Sequence, residues 1–390
     1  MKHPVRPLLS ILLLIAVTAT FSSRITVRRS TIFSPKPQLR IQSLPPPVFN
    51  STLLKFAAIQ LGEEDSKQEI EQLLQGNFSA QLKYGSFFTW WRRSNSDRHE
   101  NGARTSTGSP ENLKSSEFNQ DWLDFRRNLH DWARNKMFQP DVMLDLVRLV
   151  KHRIDGHNGL FSSDKKYKSC AVVGNSGILL NSNYGELIDS HEVVIRLNNA
   201  WIRSYEHKVG SKTSISFVNS NIFHHCSRSR ECFCHPYGAE VPIIMYICQP
   251  IHFLDYTVCN SYYKAPLLIT DSRFDVLCAQ IVKYYSAKRF VEETGKPLEE
   301  WDSTHEGVMF HYSSGMQAIM LALGICDSVG VFGFGKSPSA RHHYHTGQKA
   351  ELTLHDYEAE YAFYHDLVEN PQAIPFISDK FRFPPVVIYQ

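Results

Sequence analysis

An α/β domain with a mostly parallel sheet is the fold class this sequence predicts, on three observations. From Lys168 onward, short apolar runs alternate with longer stretches of helical periodicity. Several of those runs stop at glycine, asparagine or serine, as at Gly174–Gly177, Asn198–Asn199 and Asn219–Asn221. Ligands of such sheets bind outside the carboxyl ends of the strands, where these turns fall. The composition also permits a core, with 42% hydrophobic and 12% aromatic residues in a 390-residue chain.

The elements follow in order. "DWLDFRRNLHDWARNKM" and "PDVMLDLVRLVKHRI" carry apolar residues at helical spacing, and order is expected to begin near Phe118. "SCAVVGNSG" reads as a strand ending in a tight turn, followed by strands in "HEVVIRLNNA", "KTSISFVNS", "VPIIMYIC" and "APLLITD". "DVLCAQIVKYYSAKRFVEET" and "SGMQAIMLALGICD" read as helices, and "SVGVFGFG" as a late strand. No internal repeat is present.

The amino-terminal 117 residues read differently. Lys2 and Arg6 precede an apolar run from Leu8 to Phe21, and Arg24, Arg28 and Arg29 follow it. The run is short against the roughly 20 residues a span needs. A cleaved signal ending near Val17-Thr18-Ala19 and a short signal anchor both fit, because basic residues flank both sides. Either carries the rest of the chain into the secretory lumen. Residues 24–117 read as a stem, proline-rich at "SPKPQLRIQSLPPPVFNST" and polar at "RRSNSDRHENGARTSTGSPENLKSS", with a short helix near "EDSKQEIEQLLQ". Asn50 and Asn77 head glycosylation acceptor triplets there. Eight cysteines in an oxidising lumen imply disulfides, with the pairing open. The net charge of +3 and the lack of a long basic run argue against nucleic-acid binding.

Chemistry concentrates in three places. Gly174-Asn175-Ser176-Gly177 joins a strand to a helix and offers backbone N–H groups to an anion, although it is not a GxGxxG fingerprint. Ser313-Ser314-Gly315 opens an apolar helix, where a serine cap and a ligand-facing hydroxyl are both natural. "RHHYHTGQKAELTLHDYEAEYAFYHD", from Arg341 to Asp366, packs histidines among carboxylates and invites a metal reading. A second such cluster, "HHCSRSRECFCHPYG", spaces two of its cysteines as C-x-C, and structural zinc sites use C-x2–4-C, so disulfides are expected there.

These stretches resemble the shared motifs of the eukaryotic sialyltransferase family. "SCAVVGNSGILLNSNYGELIDSHEVVIRLNNA" is similar to its long motif and "HEGVMFHYSSGMQAIMLALGICDSVGVFGFG" to its short motif. "HHYH" at His342–His345 resembles the third motif, and His355 with Glu360, spaced H-x4-E, the very short motif. All four occur in family order between about Lys168 and Asp366, and the likeness is greatest to the plant sialyltransferase-like branch, to which a β-1,6-galactosyltransferase of arabinogalactan synthesis belongs.

The resemblance implies a modified Rossmann-like fold of the GT-A type and a Golgi type II membrane protein. Residues 1–7 would then be the cytosolic tail, 8–23 the signal anchor, 24–117 the stem and 118–390 the luminal catalytic domain. It implies a disulfide between Cys170 and Cys326, a nucleotide-linked donor and no catalytic metal, in keeping with the lack of an Asp-x-Asp dyad. By motif position, Asn175, Asn198, Ser313, Ser314 and Gly315 should line the nucleotide site. His343 should hydrogen-bond the leaving phosphate, His355 should act as general base, and Glu360 should support the His355 segment. An imidazole, which titrates near about 6.5, suits base work at lumenal pH. His342, His345 and His365 are expected to be surface or packing residues.

The chain departs from the family at Thr346, where the third motif often ends in a carboxylate, and at His345, where an aromatic is usual. Both changes fall near the reacting sugars and weaken the case for a sialic acid donor. The expected reaction is inverting transfer of galactose from UDP-galactose to the β-galactan of arabinogalactan proteins. CMP-sialic acid transferred to a galactosyl acceptor is the alternative; a non-catalytic nucleotide-sugar- or glycan-binding partner of another Golgi glycosyltransferase, and a metallohydrolase using the histidine-rich run, are the readings from other classes.

Overall fold

The computed structural model describes residues 49–60, 63–76, 116–161, 163–227, 235–260, 264–305, 310–337, 339–346 and 355–390. All of these belong to one compact unit, Pro47–Gln390. The apolar run 8–23 and Asn77 lie outside the described residues, as do Cys232, Cys234 and the side chains of Cys226 and Cys259.

Seven parallel strands form one sheet in the order β5-β4-β3-β2-β1-β6-β7. They are β1 (Cys170–Val173), β2 (Val193–Leu197), β3 (Ile215–Asn219), β4 (Ile243–Tyr246), β5 (Leu267–Ile269), β6 (Val329–Phe332) and β7 (Val386–Tyr389). The first six match the apolar runs of the sequence. Strands β1, β2, β4 and β6 are buried along their whole length, as expected where helices cover both faces of a parallel sheet. The register sets Cys170 beside both Val193 and Val329. The chain builds outward from β1 to β5, then returns to lay β6 on the other flank of β1. That reversal opens a crevice beyond the carboxyl ends of β1 and β6.

Strand β7 is absent from the sequence reading. It is a half-exposed edge strand behind Pro384 and Pro385, with no alternation to mark it. It is held by pairing Val329–Phe332 with Val386–Tyr389, and the Tyr389 ring stacks on Phe332 with centroids 4.4 Å apart.

The helices that matter for the site are α1 (Ser51–Ala58), α2 (Glu63–Leu74), α3 (Ser116–Arg134), α4 (Ser272–Thr294), α5 (Ser314–Ile325) and α6 (Tyr357–Glu369). Helix α4 starts where Asp271 Oδ1 accepts from the Arg273 N–H, and stops at Gly295, whose φ of 65° is left-handed. Helix α5 is apolar all round, and every one of its residues is buried. Each fully buried leucine, isoleucine or methionine in it stabilises the fold by about 1.5–3 kcal/mol. Gly324 permits close approach to Leu146, since a Cβ there would overlap the leucine side chain.

Cys170, at the start of β1, is bonded to Cys326, the residue that caps the end of α5. The link spans 156 residues, and closing so long a loop is worth about 5 kcal/mol in the chain-entropy account. Cys248 and Cys278 carry no disulfide among the described residues.

Helices α1 and α2 fall within residues 24–117, which the sequence suggests are stem. Both pack into the compact unit: Leu53 and Ala57 of α1 join the main core, and Ile70 and Leu73 of α2 meet Phe125 and Leu129 of α3. The folded unit thus reaches further toward the amino terminus than Phe118. Asn50 is exposed and caps α1, its Oδ1 accepting from the Thr52 and Leu53 N–H groups.

Candidate active site at the carboxyl ends of the strands

The amino-terminal end of α5 is the centre of the site. Ser313 has extended backbone angles, and its Oγ accepts from the Met316 N–H at 3.1 Å. Ser313 also gives its own N–H and hydroxyl to the two oxygens of Glu360, each at 2.6 Å. Glu360 lies in the first turn of α6, is 1% exposed, and accepts a third bond from the Tyr364 hydroxyl at 3.1 Å. Burial pushes its carboxyl up, and the nearby His355 and the Ser313 donors oppose that rise. Sequence motifs suggest that Glu360 supports the His355 segment; its hydrogen bonds go to Ser313 and Tyr364.

Ser314 gathers the ends of three strands. Its Oγ lies 3.5 Å from Asn198 Nδ2, 3.3 Å from Asn219 Nδ2 and 3.4 Å from the Tyr246 hydroxyl. These are long contacts, which a ligand oxygen can replace at small cost. Asn198 holds a left-handed φ of 51°, which asparagine tolerates better than most residues, and its Oδ1 accepts from the Asn219 N–H at 3.1 Å. Gly315 has no room for a side chain, because a Cβ there would meet the Phe334 ring at 2.5 Å.

The turn after β1 completes this cradle. Gly174 packs on the turn after β6, where a Cβ would come within 2.7 Å of the Gly333 carbonyl oxygen. The Ser176 hydroxyl donates to the Gly335 carbonyl at 2.9 Å. Asn175 Oδ1 is buried with no partner among the described residues, and so are Asn219 Oδ1 and Asn221 Oδ1. Buried oxygens without donors are rare and point to a ligand that supplies them. The structure therefore brings Asn198, Ser313, Ser314 and Gly315 together at one end of the sheet, with Asn175 on the neighbouring turn. It adds Asn219 and Tyr246 as partners of Ser314. Their signal in the sequence was only their place at strand ends.

The histidine-rich run lies over this cradle in two pieces. In residues 341–346, the Gly177 N–H donates to the Arg341 carbonyl at 2.9 Å, and the Tyr344 N–H to the Asn175 carbonyl at 2.8 Å. Gly177 is needed there, since a Cβ would meet the Arg341 carbonyl at 2.5 Å. His343 stacks on His342 with centroids 4.4 Å apart, His342 meets Tyr357 at 5.4 Å, and Tyr357 meets His355 at 5.6 Å. A relay of rings thus joins His343 to His355. Thr346 Oγ1 lies 3.4 Å from His343 Nδ1. The connecting residues 347–354 lie outside the described set.

His355 has a defined ring orientation. Its Nδ1 lies 2.8 Å from the His311 carbonyl oxygen. A carbonyl only accepts, so Nδ1 carries the proton and Nε2 keeps the lone pair of a base. Asp356 follows and caps α6, its Oδ1 accepting from the Ala359 N–H. Burial alone would raise the Asp356 carboxyl, but bonds from His305, Ser286 and the Ala359 N–H, with the Arg289 charge, outweigh it and hold it down at about 2. His311 stacks on Tyr246 at 5.7 Å, and burial pushes its imidazole down to about 4, so it is neutral.

His342 and His345 pack against neighbouring rings, and His365 is exposed. Among the described residues no three histidine, cysteine or carboxylate side chains converge as metal ligands. The surface cleft lined by Met143, Arg148, Lys166, Lys380 and Arg382 includes none of the site residues.

Residues 112–371 match the family model of glycosyltransferase family 29 (sialyltransferase). The chain belongs to that family. It is 54% identical to the β-1,6-galactosyltransferase GALT29A of Arabidopsis thaliana over 397 residues, covering 100% of both chains. It is 44% identical to sialyltransferase-like protein 1 of Oryza sativa subsp. japonica, again over 100% of both. A CMP-N-acetylneuraminate-β-galactosamide-α-2,3-sialyltransferase 1 of Gallus gallus is 30% identical over 202 residues, 50% of this chain and 54% of that one. This family 29 member is a glycosyltransferase, and its strand-end cradle lies where a nucleotide-sugar donor is expected.

Proposed function

We propose that this glycosyltransferase moves galactose from UDP-galactose to a β-galactan acceptor of arabinogalactan proteins, with inversion and without a catalytic metal. The observation that carries the reading is identity along the whole length of a plant β-1,6-galactosyltransferase. Asn175, Asn198, Ser313, Ser314 and Gly315 would hold the nucleotide end of the donor, with Asn219 completing the set. His355 Nε2 would take the proton from the acceptor hydroxyl. That oxygen attacks the anomeric carbon from the face opposite the leaving group, the carbon–phosphate oxygen bond breaks, and the configuration inverts. His343 would donate a hydrogen bond to the diphosphate as its charge develops. We place the enzyme in the Golgi membrane as a single-pass type II protein anchored by residues 8–23, with its catalytic unit in the lumen and Asn50 and Asn77 as glycan acceptors. Association with other Golgi glycosyltransferases is compatible with that placement.

CMP-sialic acid is the second reading, favoured by the family description and by the name of the chicken relative. The two separate in one experiment. Purified full-length protein is given UDP-galactose or CMP-sialic acid, with β-galactan and β-galactoside acceptors, in EDTA. Transfer from UDP-galactose to the galactan is expected. Transfer from CMP-sialic acid alone would overturn the donor, activity restored only by a divalent ion would overturn the metal-free route, and no transfer from either donor would favour a non-catalytic partner.

A further inference from the structure

We infer that Trp201, braced by His345, forms an aromatic platform on the rim of the site, which binds a sugar unit of the acceptor chain beyond the one that reacts. The inference rests on the galactan acceptor proposed above. Trp201 follows Asn198 by three residues on the loop after β2, yet 61% of its surface is open to water. A large indole left in solvent beside a cluster of strand-end donors marks an interaction surface. Its ring lies 6.4 Å from that of His345, with 26° between their planes, so the imidazole, whose two nitrogens are buried, stacks beside the indole and braces it.

The loop under the indole is fixed. The Tyr344 hydroxyl, on a fully buried side chain, donates to the Trp201 carbonyl at 2.6 Å, and the Tyr344 N–H is bonded to Asn175. Tyr205 packs edge-on to Tyr344 at 5.0 Å, and its N–H is bonded to the Ile202 carbonyl. Tyr344 therefore ties the platform to the same turn that carries Asn175. An exposed ring held this firmly loses little freedom when a ligand arrives.

The chemistry of the occupant follows from shape. β-Galactosyl units present a patch of ring C–H groups on one face, and such a patch lies flat on an indole. A donor sugar must be enclosed for transfer, whereas an acceptor polymer has to leave the site into solvent. A rim position open to water thus fits the acceptor. It also gives His345, one of the two departures from the family pattern, a role in positioning the indole that meets the acceptor.

The test measures binding of β-galacto-oligosaccharides of two to six units to the full-length protein by calorimetry, with no donor present, and then steady-state kinetics. Trp201→Ala is expected to weaken binding of the longer oligosaccharides roughly tenfold, the effect of one aromatic contact, and to leave the disaccharide, the donor KM and the saturated kcat unchanged. Trp201→Phe should recover most of the affinity, which shows that a flat ring is what matters. An equal loss at every length, a raised donor KM, or unchanged affinity in Trp201→Ala would overturn the platform. So would a wild-type protein that binds no galacto-oligosaccharide. A donor other than UDP-galactose would leave this result standing, because the binding arm contains no donor.

Discussion

The strand-end cradle and the histidine segment are built in different ways. The cradle draws Asn198, Asn219 and Tyr246 from three adjacent strands onto one hydroxyl, Ser314, at the head of a helix buried along its whole length. It exists only because the sheet exists, and it is as rigid as the core. His343 and His355 sit instead on short segments held by a few struts: Tyr344 to Asn175, Gly177 to Arg341, His355 to His311 and the capped Asp356. The part that binds is thus a surface of the core, and the part proposed to move protons is fastened onto it. Such a division allows one to be damaged without the other.

Replacing His355 gives the largest expected separation. His355→Ala removes the ring whose Nε2 is free to act as base, and kcat should fall by about 10²–10⁴. Nucleotide affinity, measured by calorimetry with UDP, should stay within a factor of about two, since the cradle keeps every partner. If nucleotide affinity falls in step with kcat, the two regions are one unit and the comparison fails.

Glu360 is where the regions meet, because it rises from the helix that follows His355 and holds both donors of Ser313. Glu360→Ala leaves the part-buried Ser313 N–H and the buried Tyr364 hydroxyl without their acceptor. The unfolding free energy should drop by about 3 kcal/mol, and UDP affinity should fall with it. Glu360→Gln keeps an acceptor for the N–H, and the serine hydroxyl can turn to accept from the new amide, so most of the loss should return. A Glu360→Ala protein with wild-type stability and UDP affinity would show that the cradle does not depend on this bridge.

Legibility in the sequence followed the same division. The cradle was readable, since each of its strands is an apolar run that stops at a polar residue, and Ser313 is a cap before an apolar helix. Its inner wiring was not. That Asn219 and Tyr246 would share Ser314 depends on strand order, and nothing local to "SFVNS" or "IIMYIC" states which strands are neighbours. For the histidine run, spacing marked His343 and His355 by likeness to family motifs, but the fan of rings through His342 and Tyr357 came only with the fold. Helix α1 was hidden in a segment read as stem, because its two buried residues, Leu53 and Ala57, are too few to show a pattern. Strand β7 had the same weakness, being short and half-exposed.

Acidity should act on the two regions in opposite directions. Beneath the cradle, Asp275 of α4 accepts from Gln317 of α5, and burial pushes its carboxyl up from 3.8 to about 7 against the hydrogen bonds of Thr270, Gln317 and Trp132. Its folded form prefers the proton, so its contribution to stability is fully present below about 3.8 and is lost as pH rises through about 7. Asp356, held at about 2, contributes stability above about 3.8 that is lost only as pH falls through 2. From pH 5 to 7 the wild type should therefore lose on the order of 2 kcal/mol through Asp275 relative to Asp275→Asn, read as a denaturant midpoint that drops against the variant's, while the gain from neutral, buried His311 is common to both proteins. Parallel profiles for the two proteins would remove Asp275 as the source.

The smallest expected effect bears on the cradle alone. Ser314→Ala deletes the hydroxyl shared by three side chains, and Asn198→Gly deletes one of those side chains while keeping the left-handed backbone. Each should raise the donor KM roughly tenfold, the worth of about 1.4 kcal/mol of lost binding, and lower the saturated kcat by less than a factor of about three. Their effects should not add in the double variant, because Asn198 and Ser314 act on one oxygen cluster. Additive losses would mean that the two residues touch the donor at separate points, and the convergence of three strand ends on Ser314 would then be a feature of packing rather than of binding.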